Sequence, residues 1–188
     1  VIYSSSKTVI DSYPYIKNHL SKYRDLIEKI RTNDGEPWFS LVRPREEKTF
    51  NEEKIVVSQR SLHNNFAYND FPFYGSSDIY YIKESNSDFP IFYLLGVLNS
   101  KIMYTWLYHR GKRKGQMLEL YRTPLSEIPI ASGTTNQKQA VEKFVREIID
   151  FKTADPTADV SAQEADINQL VYKLYNLTPE EISIIESE

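Results

Sequence analysis

The chain has 188 residues, of which 40% are hydrophobic and 26% are charged, a composition typical of an ordinary globular protein. It contains no cysteine, which excludes disulfides, thiolate metal sites and a cysteine nucleophile. Its net charge is −3, no apolar run is long enough to span a membrane, and no signal peptide pattern precedes the first element. We therefore expect a cytoplasmic protein, and because the first residue is Val1 we expect the chain to be part of a longer polypeptide.

The first half of the chain predicts one helix followed by strands. Apolar residues recur at intervals of three and four over residues 13–31, which indicates an amphipathic helix ended by Asn33-Asp34-Gly35. Runs rich in Val, Ile, Tyr and Phe then alternate with Pro, Asn, Ser and Gly. These predicted strands are residues 38–43, 54–60, 66–69 and 79–83.

Residues 90–108 predict the most buried helix, because apolar side chains surround it on nearly all sides and Pro90 suits its first turn. A loop rich in Gly, Lys and Arg is predicted at 109–115. A strand follows at 116–121, and then the segment 125–130, which ends in Ile-Pro-Ile.

The remaining sequence predicts helices. Residues 137–152 form an amphipathic pattern, and a third helix is indicated by apolar residues between 167 and 174. A fourth begins with Thr178 as the cap and Pro179 in the first position, while Glu181 can reach back to the cap.

Strands and helices are segregated rather than alternating, which favours the α+β class. We expect a twisted sheet, mostly antiparallel or mixed, with a buried helix at about 90–108, flanked by an N-terminal helix and a C-terminal helical region. The predicted divisions are an N-terminal helical segment at 1–36, an α+β domain at 37–132 and the helical region at 133–188.

Catalytic signatures are missing from the sequence. There is neither a G-x-G-like loop nor an Asn/Asp-Pro-Pro-aromatic tetrapeptide, and the three histidines are scattered without metal-ligand spacing. Glu46-Glu47-Lys48 and Glu52-Glu53-Lys54 spell half of a nuclease pattern, but no Pro-Asp precedes them and a solvated charge run is the better interpretation. We predict no catalytic residue and no metal ligand in this chain.

The charges are unevenly distributed along the chain. Residues 133–188 carry five basic and eleven acidic side chains, whereas 1–132 carry a net charge of +3. Within 101–122 there are six basic residues against the single acid Glu119. Because salt screens charges beyond about 10 Å, such a local stripe can attract a phosphate backbone despite the negative total.

Five pieces of sequence, in a fixed order, carry a family likeness. They are Trp38-Phe39 with Arg43-Pro44-Arg45, Lys54-Ile55-Val56, Phe66-Ala67-Tyr68, Tyr93-Leu94-Leu95-Gly96-Val97-Leu98-Asn99-Ser100-Lys101 and Leu125-Ser126-Glu127-Ile128-Pro129-Ile130. This set resembles the TaqI-like C-terminal specificity domain of type II methyltransferases and fused restriction–modification enzymes. The segment 167–182 resembles the helical end of the same proteins.

The resemblance implies a division of labour. This chain would recognise a sequence in double-stranded DNA, while an upstream domain of the same polypeptide would bind S-adenosylmethionine and methylate adenine. The parent polypeptide would also carry an endonuclease if it is one of the fused restriction–modification enzymes. Neither the cofactor nor catalysis is expected in these residues.

Residues able to contact DNA cluster in two stretches, because phosphates attract cations and base edges are read by Arg, Lys, Asn or Gln. The first is the cationic loop, with Arg110, Lys112, Arg113, Lys114 and Gln116. The second follows a predicted strand, with Gln59, Arg60, Ser61, Asn64 and Asn65. A weaker third candidate is the pair Arg43 and Arg45.

Two other functions remain open at this point. The helices at 13–31 and 137–152 have heptad-like stripes that suit a protein–protein scaffold or spacer within a restriction–modification complex. The 14 tyrosines suit base stacking in single-stranded RNA.

Overall fold

The structure is a computed structural model that describes residues 1–32, 35–83 and 88–187. The chain folds into two compact units. The first is Val1–Glu52 with Pro72–Tyr74, and the second is Glu53–Phe71 with Gly75–Glu188. Helices and small antiparallel sheets confirm the predicted α+β class, whereas the divisions at residues 36 and 132 stay predictions.

The first unit contains short helices. They are a 3-10 turn (Ile10–Ser12), α1 (Pro14–Ser21), α2 (Arg24–Ile30) and α3 (Lys48–Asn51). The prediction of one continuous helix over 13–31 is therefore wrong, because the structure has two helices there. Tyr23 leaves helical geometry with a φ of −112° and a ψ of 8°, so the chain turns between α1 and α2. Asn33 and Asp34 lie outside the described residues, and Gly35 has a φ of +95°.

The strand predicted at 38–43 is also wrong, because these residues form turns and bends. Their backbone groups bind the N-terminal segment instead of a neighbouring strand. The hydroxyl of Ser4 donates to the Phe39 carbonyl, and the Leu41 amide donates to the Ser4 carbonyl at 2.9 Å. Local β-propensity is overridden here by pairing with a distant segment.

The second unit contains two three-stranded antiparallel sheets. Its strands are β1 (Lys54–Ser58), β2 (Arg60–Ser61), β3 (Phe66–Asn69), β4 (Ile79–Ile82), β5 (Lys112–Lys114) and β6 (Met117–Glu119). In the first sheet β1 lies between β3 and β4, and in the second β6 lies between β2 and β5. The predicted strands at 66–69 and 79–83 are confirmed by β3 and β4.

Gln59 divides the strand predicted at 54–60 and joins the two sheets. Its amide donates to the Asp78 carbonyl at 2.7 Å, beside the first sheet. Its own carbonyl accepts from the Leu120 amide at 2.8 Å, beside the second. One continuous run of β-forming sequence therefore serves both sheets.

Among the residues that the structure describes, six helices complete the second unit. They are α4 (Ile91–Asn99), α5 (Lys101–Arg110), α6 (Arg122–Ser126), α7 (Thr135–Ala154), α8 (Ser161–Leu174) and α9 (Pro179–Ser187). The last three confirm the C-terminal helical region. The segment 125–130 contributes the end of α6, a turn at Glu127 and a stretch without regular secondary structure. Among the described helices, none combines the length and the hydrophobicity needed to cross a membrane.

The buried helix predicted at 90–108 is broken at Ser100, whose ψ of 156° is extended. Pro90 precedes the helix as its N-cap rather than standing in its first turn. The break is held by two buried amides: Asn64 donates to the Ser100 carbonyl at 3.1 Å, and Asn168 accepts from the Lys101 amide at 2.8 Å. Side chains thus pair with backbone groups where the helix is interrupted.

The core of the second unit forms where α4 meets α7, and Gly96 sets their separation. A Cβ atom at Gly96 would come within 2.5 Å of Val141 and 2.9 Å of Val145, so only glycine permits this close approach. Both valines are buried, as the predicted stripe of this helix requires. Thr134 and Gln137 form a capping box that starts α7.

Candidate nucleic-acid interface

The cationic stretch folds as a β-hairpin. The predicted loop at 109–115 is wrong, because the residues before Gly111 end α5 and Lys112–Lys114 form β5, paired with β6. The hairpin turns at Gly115 and Gln116, and Gly115 has a φ of +63°, a conformation that glycine adopts without strain. The pairing fixes which side chains share a face.

Strand β2 lies on the other side of β6 and brings the two candidate stretches together. Glu119 is opposite Arg60 in one pairing and opposite Lys112 in the other, while Met117 is opposite Lys114. Residues directly opposite each other in antiparallel strands project to the same face. Arg60, Lys112 and Lys114 therefore share one face with Glu119, which we call the basic face, and all three cations are exposed.

Arg113 belongs to the opposite face. It is paired with Leu118, which is fully buried in the core. The Arg113 guanidinium lies 3.9 Å from the ring centre of Tyr108 on α5, a cation–π contact. Of three consecutive cations, the first and third are thus available on the basic face, while the middle one is stacked on an aromatic ring.

Glu119 anchors a hydrogen-bond network on the basic face. Its Oε1 accepts from Arg60 Nε at 3.4 Å and from the Tyr121 hydroxyl at 2.6 Å, and Arg60 Nη2 donates to the Tyr121 oxygen at 3.3 Å. The hydrogen bond from Tyr121, and next the one from Arg60, hold the pKa of Glu119 below its ordinary value. The carboxylate is therefore ionised at neutral pH.

Comparison with known proteins decides the family. Residues 11–130 match the TaqI-like C-terminal specificity domain. That match covers more than half of the chain. The chain belongs to this family.

Three curated relatives of this specificity domain are type II methyltransferases. M.MjaIV of Methanocaldococcus jannaschii is 27% identical over 143 residues, which cover 73% of this chain and 48% of that protein. M.HincII and M.HindII, both of Haemophilus influenzae, are 28% and 29% identical over 64% of the chain, and the matched regions cover 26% and 25% of their lengths. The chain thus spans about half of the first relative and about a quarter of the other two.

The other predicted contact residues of the specificity domain are distributed around the hairpin and in the first unit. Arg110 is exposed at the end of α5, Gln116 is exposed in the hairpin turn, and Asn65 is exposed before β3. Ser61 and Gln59 are half-buried in and beside β2. Arg43 and Arg45 lie in the first unit, where Arg43 is exposed and Arg45 is half-buried.

Asn64 differs from these residues, because it is only 8% exposed. Its Nδ2 donates to the carbonyls of Leu98 at 2.7 Å and Ser100 at 3.1 Å, so both of its amide hydrogens are used inside the protein. We therefore assign Asn64 to the support of the break between α4 and α5. It is not part of the interface that we propose below.

The two Glu-x-Lys tripeptides make ordinary structural contacts. Glu47 accepts from the Tyr74 hydroxyl at 3.1 Å, and Glu53 accepts from the Tyr68 hydroxyl at 2.6 Å. Lys54 is fully buried and donates to the Phe71 carbonyl at 3.3 Å. Across residues 1–32, 35–83 and 88–187, no three His, Asp or Glu side chains are grouped to hold a metal ion.

Sequence reasoning missed Glu119 and Tyr121 as members of the site. A signal for Glu119 was present, since it is the single acid among six cations in 101–122. Tyr121 carried no signal of its own among 14 tyrosines. Its role depends on the pairing of β2 with β6.

Proposed function

We propose that this chain recognises a specific sequence in double-stranded DNA and that the basic face of the second sheet is its principal DNA contact. The observation that carries the proposal is the gathering of Arg60, Lys112 and Lys114 on one exposed face in a member of a specificity-domain family. The parent protein is proposed to be a cytoplasmic adenine-specific DNA methyltransferase. S-adenosylmethionine would bind its upstream catalytic domain, and an endonuclease activity in the same polypeptide is part of the proposal.

The composition of the basic face suits both kinds of DNA contact. Lys112 and Lys114 stand two residues apart on one strand, so both ammonium groups can approach the same phosphate backbone. Arg60 offers a guanidinium, which reads guanine through two hydrogen bonds. Lysines that position the protein would thus lie next to an arginine that reads a base.

The neighbouring polar residues extend this proposed contact. Arg110 and Gln116 flank the hairpin, and Gln59, Ser61 and Asn65 lie along or beside β2. We propose that they add phosphate or base contacts of their own. Arg43 and Arg45 remain candidates for a further contact made by the first unit.

The experiment is a titration of the 188-residue chain with duplex DNA at several salt concentrations. The wild type should bind with an affinity that falls as salt rises, because each neutralised phosphate adds about 0.9 to the log–log slope. The double variant Lys112→Ala/Lys114→Ala should flatten this slope by about 1.8 and weaken binding on the order of tenfold at low salt.

A matched control removes the same charge elsewhere. Lys143 and Lys173 are exposed lysines on α7 and α8, and Lys143→Ala/Lys173→Ala should leave the slope as it is in the wild type. Equal effects of the two double variants would contradict the basic face. Preference for single-stranded RNA would contradict duplex recognition, and absence of nucleic-acid binding at every salt concentration would favour a scaffold.

The scaffold alternative has one observation in its favour. Helices α1 and α2 contain no buried residue, and Tyr15, Leu26 and Ile30 are among the exposed apolar side chains of the first unit. The stripe of α7, in contrast, is used inside the second unit. Sedimentation of the chain, alone and with its upstream domain, would test whether α1 and α2 join a protein interface.

A further inference from the structure

Glu119 poses an electrostatic problem for a surface that binds DNA. It stands on the basic face opposite both Arg60 and Lys112, where its negative charge opposes the attraction of these cations for phosphate. On a surface that bound only the backbone, a neutral residue at this position would give higher affinity. We therefore looked for a favourable contact that this carboxylate could make with a ligand on the same face.

The hydrogen bonds of the network leave specific atoms for a ligand. Among the described residues, Arg60 uses Nε and one hydrogen of Nη2, which leaves both hydrogens of Nη1 and one of Nη2. Glu119 accepts its two hydrogen bonds through Oε1, which leaves Oε2 as an acceptor. The Arg60 side chain is 44% exposed and that of Glu119 is 15% exposed, so both reach solvent.

Donors and an acceptor placed next to each other match one base pair in the major groove. Guanine presents the acceptors N7 and O6, and the cytosine paired with it presents the N4 amino donor beside them. An A·T pair presents the adenine N6 donor and the thymine O4 acceptor in the corresponding places. There the guanidinium would face a donor and the carboxylate would face an acceptor.

We propose that Arg60 and Glu119 read one G·C base pair together, with Arg60 donating to guanine and Glu119 accepting from the cytosine amino group. Tyr121 is a positioning residue, because its hydroxyl links the two side chains. This inference rests on the proposed function and adds a base-pair assignment to it. The near-neutral Arg60–Glu119 pair suits an uncharged base edge, while Lys112 and Lys114 remain for the phosphates.

The test is selection of bound duplexes from a pool with a randomised centre, followed by sequencing, for the wild type and for Glu119→Gln, Arg60→Lys and Tyr121→Phe. The wild type should enrich a motif that contains a G·C pair. Glu119→Gln and Arg60→Lys should each lose roughly tenfold discrimination at the same one position, because an amide accepts and donates alike and lysine lacks the guanidinium fork. Tyr121→Phe should weaken preference at that position by a smaller factor.

Binding to a duplex without the motif supplies a second readout. Glu119→Gln removes a negative charge from the basic face, so its affinity for such a duplex should rise several-fold while selectivity falls. Asp150→Asn, which removes an exposed carboxylate from α7, is the control and should keep both the motif and the non-specific affinity. Thermal unfolding of each variant identifies any that fails to fold.

The outcomes separate the two proposals. A wild-type motif that Glu119→Gln and Arg60→Lys keep at every position, or lose evenly at all positions, would overturn the G·C assignment while leaving DNA recognition in place. Loss of preference at two different positions would overturn joint reading. A wild type that binds DNA with no motif at all would overturn sequence-specific recognition itself, and the assignment with it.

Discussion

One stretch of chain contributes a strand to each of the two sheets of the second unit, but the sheets differ in how far their side chains are buried. In the first sheet, the central strand β1 buries Ile55 and Val57, which are 0% and 2% exposed. In the second, every residue of β5 is exposed, and β6 is held by Leu118, which is 0% exposed. Strand-forming sequence thus forms a buried strand before Gln59 and part of the exposed basic face after it.

Because of this difference, we expect the first sheet to control stability and the second to control affinity for a charged ligand. Apolar burial contributes roughly 25 cal/mol per Å², so the first sheet contributes to the free energy of unfolding. Exposed cations contribute little to that free energy, but they set the affinity for a charged ligand. Substitutions in the two sheets should therefore separate stability from DNA binding.

The largest expected effect is on the first sheet. Ile55→Ala removes a fully buried side chain, leaves a cavity and should lower the free energy of unfolding by about 2–5 kcal/mol. Urea denaturation measures this change. The folded variant should keep the salt slope of DNA binding, whereas Lys112→Ala/Lys114→Ala should keep the stability to within about 0.5 kcal/mol. Parallel losses of stability and salt slope in both variants would refute the division.

The next largest effect is a difference in stability between substitutions of two neighbouring asparagines. The sequence suggested both of them as DNA contacts. Asn64→Ala removes the donor of the buried Leu98 carbonyl, whereas the Ser100 carbonyl keeps the amides of Met103 and Tyr104, and the loss should cost about 1–3 kcal/mol. Asn65→Ala changes an exposed residue and should stay within about 0.5 kcal/mol. Denaturation of the two variants under one set of conditions checks this. Similar losses for both would contradict the structural role of Asn64.

Helices that carry their capping residues within their own first turn can be predicted from the sequence. Helix α7 has its capping box at Thr134 and Gln137, and α9 has the pair Thr178 and Glu181, whose reciprocal hydrogen bonds measure 2.8 and 3.3 Å. The break at Ser100 was not predictable in this way. It depends on Asn64 and on Asn168, and the hydrogen bonds that hold it join residues 36 and 67 positions apart.

The candidate site shows the same limit. Local composition was enough to single out the cations of 110–116 and the polar side chains of 59–65, but not to show which side chains share a face. That depends on strand register, which joins Arg60 to Glu119 across 59 positions and turns Arg113 away from its two neighbours. A linear sequence lists the three consecutive cations as equals, and the pairing of β5 with β6 divides them.

The smallest expected effect is a pH dependence confined to the second sheet. Because hydrogen bonds from Tyr121 and Arg60 lower the pKa of Glu119, the folded state favours the carboxylate. Its stabilising contribution is therefore present above the ordinary glutamate pKa of about 4.3 and is lost as the pH falls through that value toward the lowered one. The difference in unfolding free energy between the wild type and Glu119→Gln should shrink between pH 7 and pH 3.

The corresponding difference for Glu127→Gln, an exposed carboxylate after α6, should stay near zero at pH 7. A wild-type advantage that grows on acidification would mean that folding raises the pKa of Glu119, which would contradict its stabilisation as a carboxylate by Tyr121 and Arg60.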